Sequence, residues 1–470
     1  MPFPYKKMDE KDFEYIRSVT ESARVWVGDD ISEEYFHDEM PEYGVFKPEL
    51  YVEVKDKYEV SAIMKYAYEN NIPVTARGAG TGLAGGASCK YGGIMLSLMR
   101  MNRIYDVDTK NMSVCAEPGA RVFEVAEAAK KAGLFYPPDP GEKNASIGGS
   151  VITNAGGMRA VRYGVTRDYV RSIEAVMPNG EIMQFSSNVV KNTTGPDIKD
   201  LVVGSEGIFC ICTKVTLKLI PAPKFSCTLV IPFEDNESCI ECVPVLLKLP
   251  FCPTATEFLE RELIELVEKN MDKKLPVREG KAVLIVMFDA STEEELTLCC
   301  EAAAEAVLDR GAIDVFVADT EKRIKEVWDV RGAVLEAMKI SSLAQEECDV
   351  VVPRAEIANF VKAAKKICGS YGIEVQVCGH AGDGNIHTEL LRKEGMTDKE
   401  WEENTCLCLK ELYAKSKELG GQLSGEHGIG NGRIEYFREF IGEPMWELYK
   451  SIKLAFDPKL ILNPGKIIEF

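Results

Sequence analysis

Long apolar runs are missing from this chain. No stretch of roughly eighteen consecutive apolar residues occurs, so no transmembrane helix is expected. The opening residues, MPFPYKKMDEKDFEY, lack the apolar core of a secretory signal, and the expected location is the cytoplasm. Basic charge is short as well. Lys and Arg number 56 against 75 Asp and Glu, for a formal net charge of −19. Nucleic-acid binding needs basic patches to meet phosphates, so that class is disfavoured, and the acidity serves solubility. A second Cys-x-x-Cys is lacking too. One pair occurs, Cys239 with Cys242, and a four-cysteine metal or iron–sulfur site would need another nearby. The 15 cysteines are an odd number and mostly lie in apolar runs, as in GIFCICTKV, so they read as reduced core thiols. Histidine is the scarcest feature: there are 4, and three of them, His380, His387 and His427, stand in two short glycine-rich stretches.

What is present is an ordinary globular composition, 46% apolar, long enough for two or three domains. Over 1–220, short strands (ELYVEV, IPVTARG, GGIMLSL, MSVCAEPG) alternate with amphipathic helices (KYEVSAIMKYAYENN, RVFEVAEAAKKAG), and SIEAVMPNGEIMQF reads as a hairpin turning at Asn179-Gly180. Over 221–420 the texture changes to long helical stretches, such as TEEELTLCCEAAAEAVLDR, with strands such as AVLIVMF between them. This predicts a separate α+β domain with an antiparallel sheet. Residues 421–470 return to glycine loops and are expected to fold back on the first domain.

Three glycine clusters mark the first domain. PVTARGAGTGLAGGA contains a G-x-G-x-x-G, but the residues directly after it, SCKYGGIMLSL, cannot begin a helix, so a Rossmann unit is rejected. A nest of backbone N–H groups for an anion is the reading that survives. YPPDPGEKNASIGGSVITNAGG and VVGSEGIF repeat the small-residue character, which lets backbone approach a flat ligand.

The order RGAGTGLAGG, PPDPG…SIGGSVITNAGG, GSEGIF, GHAGDGNIH, SGEHGIG, FDPKLILNPGK resembles the FAD-linked 2-hydroxyacid oxidoreductases. That family includes D-lactate dehydrogenases, glycolate oxidase subunits and D-2-hydroxyglutarate dehydrogenases. The resemblance spans about 45 to 470. It implies an α+β fold: a vanillyl-alcohol-oxidase-type FAD-binding domain plus an α+β cap domain with an antiparallel sheet. It implies that Arg77, Gly78, Ala79, Gly80, Thr81 and Gly82 hold the FAD pyrophosphate. Pro140, Gly141, Ser146, Gly148, Gly149, Asn154 and Gly157 would line ribityl and flavin. Glu206, Gly207 and Ile208 would meet the adenine half, and Asn463 would reach the flavin from the C-terminus. Some relatives attach FAD covalently through a histidine in the first loop; residues 77–82 have none, so non-covalent FAD is expected.

In CGHAGDGNIHTE, a two-residue type I′ turn at Asp383-Gly384 would pair His380 with His387 across two strands, about 5 Å apart at Cβ; a longer turn would lose exact opposition but keep them near. Two nitrogen ligands rarely suffice, and Glu426 and His427 in GEHG are the obvious additions. Adjacent residues of an extended segment point oppositely, so these two should divide roles. The resemblance makes Glu426 the third ligand of one divalent metal (zinc, iron(II) or manganese) and His427 the base. It also assigns Arg331, from the W-x-x-R element that begins at Trp328, to the substrate carboxylate. Relatives that oxidise a dicarboxylic hydroxy acid carry a lysine where this chain has Glu346 and Glu347, and an asparagine where it has Glu389. The added negative charge favours a small monocarboxylic substrate, D-lactate ahead of glycolate. No second cofactor motif is visible, so the electron acceptor is expected to be another protein or a quinone. An electron-transferring flavoprotein is implied by likeness to the lactate dehydrogenase subunits that dock on one. The alternatives are a glycolate or D-2-hydroxyglutarate dehydrogenase using a quinone or another acceptor, and a flavin electron-transfer subunit without catalysis.

Overall fold

Apolar side chains run nearly unbroken along ELYV and GIMLSL, and both segments become buried strands. The computed structural model describes residues 5–341 and 344–470; the first four residues of the start lie outside them. The chain divides into two compact units. The first comprises the chain up to Gly156, Val165–Ala222 and Glu426–Phe470; the second comprises Gly157–Gly164 and Pro223–Gly425.

In the first unit β1 (Val25–Val27), β2 (Leu50–Glu53), β3 (Val74–Arg77) and β4 (Ile94–Ser97) form a sheet in the order β1-β2-β4-β3. The last three are parallel and β1 joins antiparallel. The helix Lys57–Asn70 makes the crossover between β2 and β3. Asp56 caps it by accepting the N–H groups of Tyr58 and Glu59, and it ends at Asn71 in the left-handed region. Its Val60, Ile63, Met64 and Ala67 share one face and are fully buried. No helix forms between β3 and β4, in line with the rejected Rossmann unit. A second, antiparallel sheet holds β5 (Ser113–Ala116), β7 (Val170–Val176), β8 (Ile182–Phe185) and β9 (Ile211–Lys218) in the order β5-β9-β7-β8. The turn at Asn179-Gly180 joins β7 to β8. A short ribbon pairs β6 (Leu134–Phe135) with β10 (Ile220–Pro221). The C-terminal segment runs beside β3: Leu462 bridges to Val74 in parallel, and the Asn463 N–H donates to the Val74 carbonyl at 2.7 Å.

The second unit is built on a seven-stranded sheet. Its strands are β11 (Phe225–Phe233), β12 (Ala255–Glu260), β13 (Ala282–Ala290), β14 (Phe316–Ala318), β15 (Gln345–Val351), β16 (Glu374–His380) and β17 (Asn385–Leu391). They lie in the order β14-β11-β13-β12-β16-β17-β15, all antiparallel. The helices Arg261–Met271 and Glu321–Gly332 bring Leu263, Ile264, Val267, Val327 and Val330 into one core with Leu259, Val283 and Ile285. Each such aliphatic contributes about 1.5–3 kcal/mol on burial, which lets the same layer tolerate charge. The cysteines are free thiols, and Cys239 and Cys242 are fully buried. Among the described residues no helix is long and apolar enough to cross a membrane.

The β16–β17 hairpin departs from the two-residue turn expected at Asp383-Gly384. Its turn spans 381–384, and the register pairs His380 with Asn385 and Cys378 with His387. Two causes are visible. Gly384 has φ +95, but Asp383 is not left-handed, as a type I′ turn would require. The Gly382 N–H is also drawn to the Thr256 carbonyl of β12 at 3.1 Å, which holds the turn open. His380 and His387 therefore share one face of the sheet as diagonal neighbours.

Candidate active site

The first unit supplies a narrow cleft floored by small residues, among them Ala76, Gly78, Gly148, Gly149 and Gly207, with Pro118 on one wall. Ser146 ties two of the glycine segments together: its hydroxyl accepts the N–H groups of Ala79 and Gly149, each at 3.3 Å. A Cβ on Gly148 would come within 2.5 Å of Pro118 Cβ, so glycine is required for the helix Ile147–Thr153 to pack here. Gly80, at φ +78, turns the loop back over the Arg77 guanidinium. Arg77 is buried and donates to the carbonyls of His37 at 2.7 Å and Glu34 at 3.2 Å. It thus braces the loop of Ala79, Thr81 and Gly82 from behind.

Asn154 ends the same helix in the left-handed region, and its Oδ1 accepts the Arg167 N–H at 2.9 Å. Pro140 is half-buried and Gly141 exposed, in the loop before Ser146, while Gly157 belongs to the second unit. Glu206 is half-buried and accepts the N–H groups of Ile429 and Gly430, both at 2.7 Å. Burial pushes its carboxyl pKa up against the pull of these hydrogen bonds. The Ile208 carbonyl accepts from the buried Lys453 ammonium at 2.7 Å. Asn463 donates through Nδ2 to the Glu206 carbonyl at 2.8 Å, whereas its buried Oδ1 has no hydrogen-bond partner among the described residues. A cleft floored by glycine and an orphaned amide oxygen beside it suit a flat, hydrogen-bonding heterocycle such as the flavin of FAD. The loop set by Glu206 also carries Glu426 and His427, whose nearest ring-nitrogen to carboxylate distance is 4.0 Å.

The second unit gathers ionisable side chains on one face of its sheet. His380 and His387 have ring centroids 5.2 Å apart at an interplanar angle of 86°. A ring nitrogen of each lies within 4.8 Å of one on the other. Glu257 of β12, fully buried, holds His380: its two carboxylate oxygens are 2.8 and 2.9 Å from Nδ1. The same carboxylate accepts from Arg331 Nε at 2.8 Å. Burial alone would raise the Glu257 pKa, but the charges of His380 and Arg331 outweigh it and hold the carboxyl below its ordinary value. His387 Nδ1 lies 2.8 Å from Glu347 Oε1 and 3.7 Å from Asp349 Oδ1. Asp349 in turn accepts from Asn385 Nδ2 at 2.7 Å, Ser424 Oγ at 2.8 Å and the Gly425 N–H at 3.1 Å. Glu389, opposite Glu347, is buried, and desolvation followed by the nearby Glu347 and Glu346 charges raises its pKa well above the usual range.

Glu257, Asp349 and Asn385 went unread in the sequence. The signal was there for Glu257, an acid inside the apolar strand ATEFLE, but its partners are remote in the chain. With Glu389 holding its proton, the three remaining carboxylates, Glu257, Glu347 and Asp349, still outnumber the one guanidinium, a surplus of negative charge that a divalent cation would balance. With a carboxylate beside each Nδ1, Nε2 is the atom through which each ring would meet a cation, the usual arrangement at a histidine metal site.

Residues 48–186 match the FAD binding domain, and residues 222–467 match the C-terminal domain of FAD linked oxidases. The chain is 44% identical to a D-lactate dehydrogenase of Anaerostipes hadrus, covering 99% of this chain and 98% of that one. It is 39% identical to a D-lactate dehydrogenase of Archaeoglobus fulgidus, over 93% and 96% of the two chains. Glycolate oxidase subunit GlcD of Bacillus subtilis is 34% identical, over 92% and 91%. Among solved structures, 4-ethylphenol oxidase from Gulosibacter chungangensis superposes with a TM-score of 0.80 at 19% identity, over 100% and 99% of the two chains. The fold is the vanillyl-alcohol-oxidase type with its antiparallel-sheet cap domain, and the chain belongs to the FAD-linked oxidases, a family of FAD-dependent oxidoreductases.

Proposed function

We propose that this protein is a cytoplasmic D-2-hydroxyacid dehydrogenase, acting on D-lactate in first place and passing electrons to a protein acceptor, an electron-transferring flavoprotein. The observation that carries the reading is the imidazole pair of the second unit, with a carboxylate against each Nδ1. The relatives named D-lactate dehydrogenase support the substrate class.

The glycine segments and Asn463 of the first unit would hold FAD without a covalent bond. His380, His387 and Glu426 would hold a divalent cation: zinc, iron(II) or manganese. When bound, FAD supplies the two-electron oxidation at C2 of the substrate, and the cation supplies Lewis acidity that lowers the pKa of the hydroxyl. His427 takes the hydroxyl proton on a ring nitrogen, a task suited to imidazole near neutral pH. Arg331 receives the carboxylate on its planar guanidinium. Glu347 places negative charge beside the imidazoles, which disfavours a second carboxylate on the substrate.

Anaerobic mixing of the yellow holoprotein with D-lactate is expected to bleach the flavin, and prior treatment with a chelator to prevent it. Bleaching by D-2-hydroxyglutarate in place of D-lactate would reassign the substrate. Bleaching by no hydroxy acid would leave a flavin electron-transfer subunit and overturn the reading.

A further inference from the structure

We infer that Glu257 is a positioning residue shared by His380 and Arg331, fixing the imidazole tautomer that can bind a cation and the guanidinium plane that meets the substrate carboxylate. This rests on the function proposed above and names a residue that function did not assign.

Glu257 stands in the middle of the buried strand β12, where neighbouring positions carry Phe258 and Leu259. A buried carboxylate is costly unless paired and hydrogen-bonded, and here it is both. The pairing of Phe258 with Gly379 and Leu259 with Cys378 puts the preceding residue of β12, Glu257, across from His380. The Gly382 N–H bond to Thr256 then pins the hairpin turn to the same strand. Placement by sheet register is tighter than placement by a loop.

The geometry leaves little choice of proton. With two carboxylate oxygens 2.8 and 2.9 Å from Nδ1, a bare nitrogen lone pair there would face oxygen lone pairs, so Nδ1 carries the hydrogen. In the neutral ring, Nε2 is then the bare nitrogen, the state a ligand needs. Arg331 is fixed from a different side. Trp328, one helical turn earlier, donates its indole N–H to Thr228 at 3.0 Å and anchors the helix, while Arg331 Nε is committed to Glu257. One carboxylate therefore aligns both groups.

Glu257→Gln is the test, because an amide NH2 in place of one oxygen would donate to Nδ1 and invert the tautomer. Zinc affinity of the flavin-loaded protein, measured by competition with a chromogenic chelator, is expected to fall 10- to 100-fold with flavin content unchanged. His380→Ala serves as the control. If His380→Ala binds zinc as the wild type does, the metal reading itself fails. If His380→Ala loses zinc while Glu257→Gln keeps wild-type affinity, the role given to Glu257 is overturned and the site stands. Should Glu257→Gln not fold, the wild type answers directly. With 4 histidines in the chain, nitrogen-15 spectra of the metal-free protein resolve each ring. His380 is expected as the Nδ1–H tautomer, and finding it as Nε2–H would overturn the inference.

Discussion

The Glu206 carboxylate accepts the Ile429 N–H at 2.7 Å and thereby holds the loop that carries His427. Glu206 adopts φ +49 to reach this position, and the Gly430 N–H shares the same carboxylate. Replacing it by glutamine leaves one acceptor for two donors and turns an NH2 toward a backbone N–H. Glu206→Gln is expected to lower unfolding free energy by about 1–3 kcal/mol, the cost of a buried donor left unsatisfied. It should also reduce kcat at least tenfold, since the base would no longer be set. Denaturant titration and steady-state assay of the same preparation check both. Unchanged kcat with reduced stability would mean that the loop is held by other contacts.

Sequence range decides how far the fold could be read. Local signals were sufficient for the helix Lys57–Asn70, with its Asp56 cap and one apolar face, and for the hairpin at Asn179-Gly180. The absence of a helix after Gly80 was legible from Gly92 and Gly93 downstream. The histidine hairpin was read with the wrong turn because a bond to the distant Thr256 decides its length, and period and turn residues carry no word of it. Arg77 takes its place in the pyrophosphate loop from the resemblance alone; the carbonyls its guanidinium meets lie some forty positions earlier, beyond any local signal. Glu257 lies far from both of its partners in the chain, so no spacing could announce it.

His427 is expected to act on the proton and not on the cation. His427→Asn should lower kcat by about 10²- to 10⁴-fold, the range for removal of a general base, with zinc affinity unchanged. Metal analysis together with the rate of anaerobic flavin bleaching separates the two. Loss of zinc from this variant would instead make His427 a ligand.

Arg331→Lys keeps the charge but gives up the planar fork and the Nε bond to Glu257. It is expected to cost about 2–3 kcal/mol in transition-state stabilisation, read as a roughly 30- to 160-fold fall in kcat/KM for D-lactate. If Arg331 served only the helix, the substitution would shift unfolding and leave kcat/KM alone.

Lys466 provides a pH test with a definite sign. It is almost wholly buried and donates to Ser88 Oγ at 3.1 Å, and burial lowers its pKa from 10.5 to about 8. Below pH 8 both folded and unfolded chains carry the proton, and the folded one bears the cost of enclosing an ammonium ion. Between pH 8 and 10.5 only the unfolded chain holds it, so this group's contribution to stability rises with pH, by about 1.4 kcal/mol per unit. Lys466→Met removes the ion and should therefore be the more stable protein at pH 7, by up to about 3 kcal/mol less roughly 1 kcal/mol for the lost hydrogen bond. The advantage should shrink as pH approaches 10. Thermal midpoints of the two proteins across pH 7 to 10 give the comparison, with other titrations cancelling in the difference. A gap that stays constant over that range would show that Lys466 keeps its proton in the folded chain, matched by the neighbouring Asp38 and Glu206 charges.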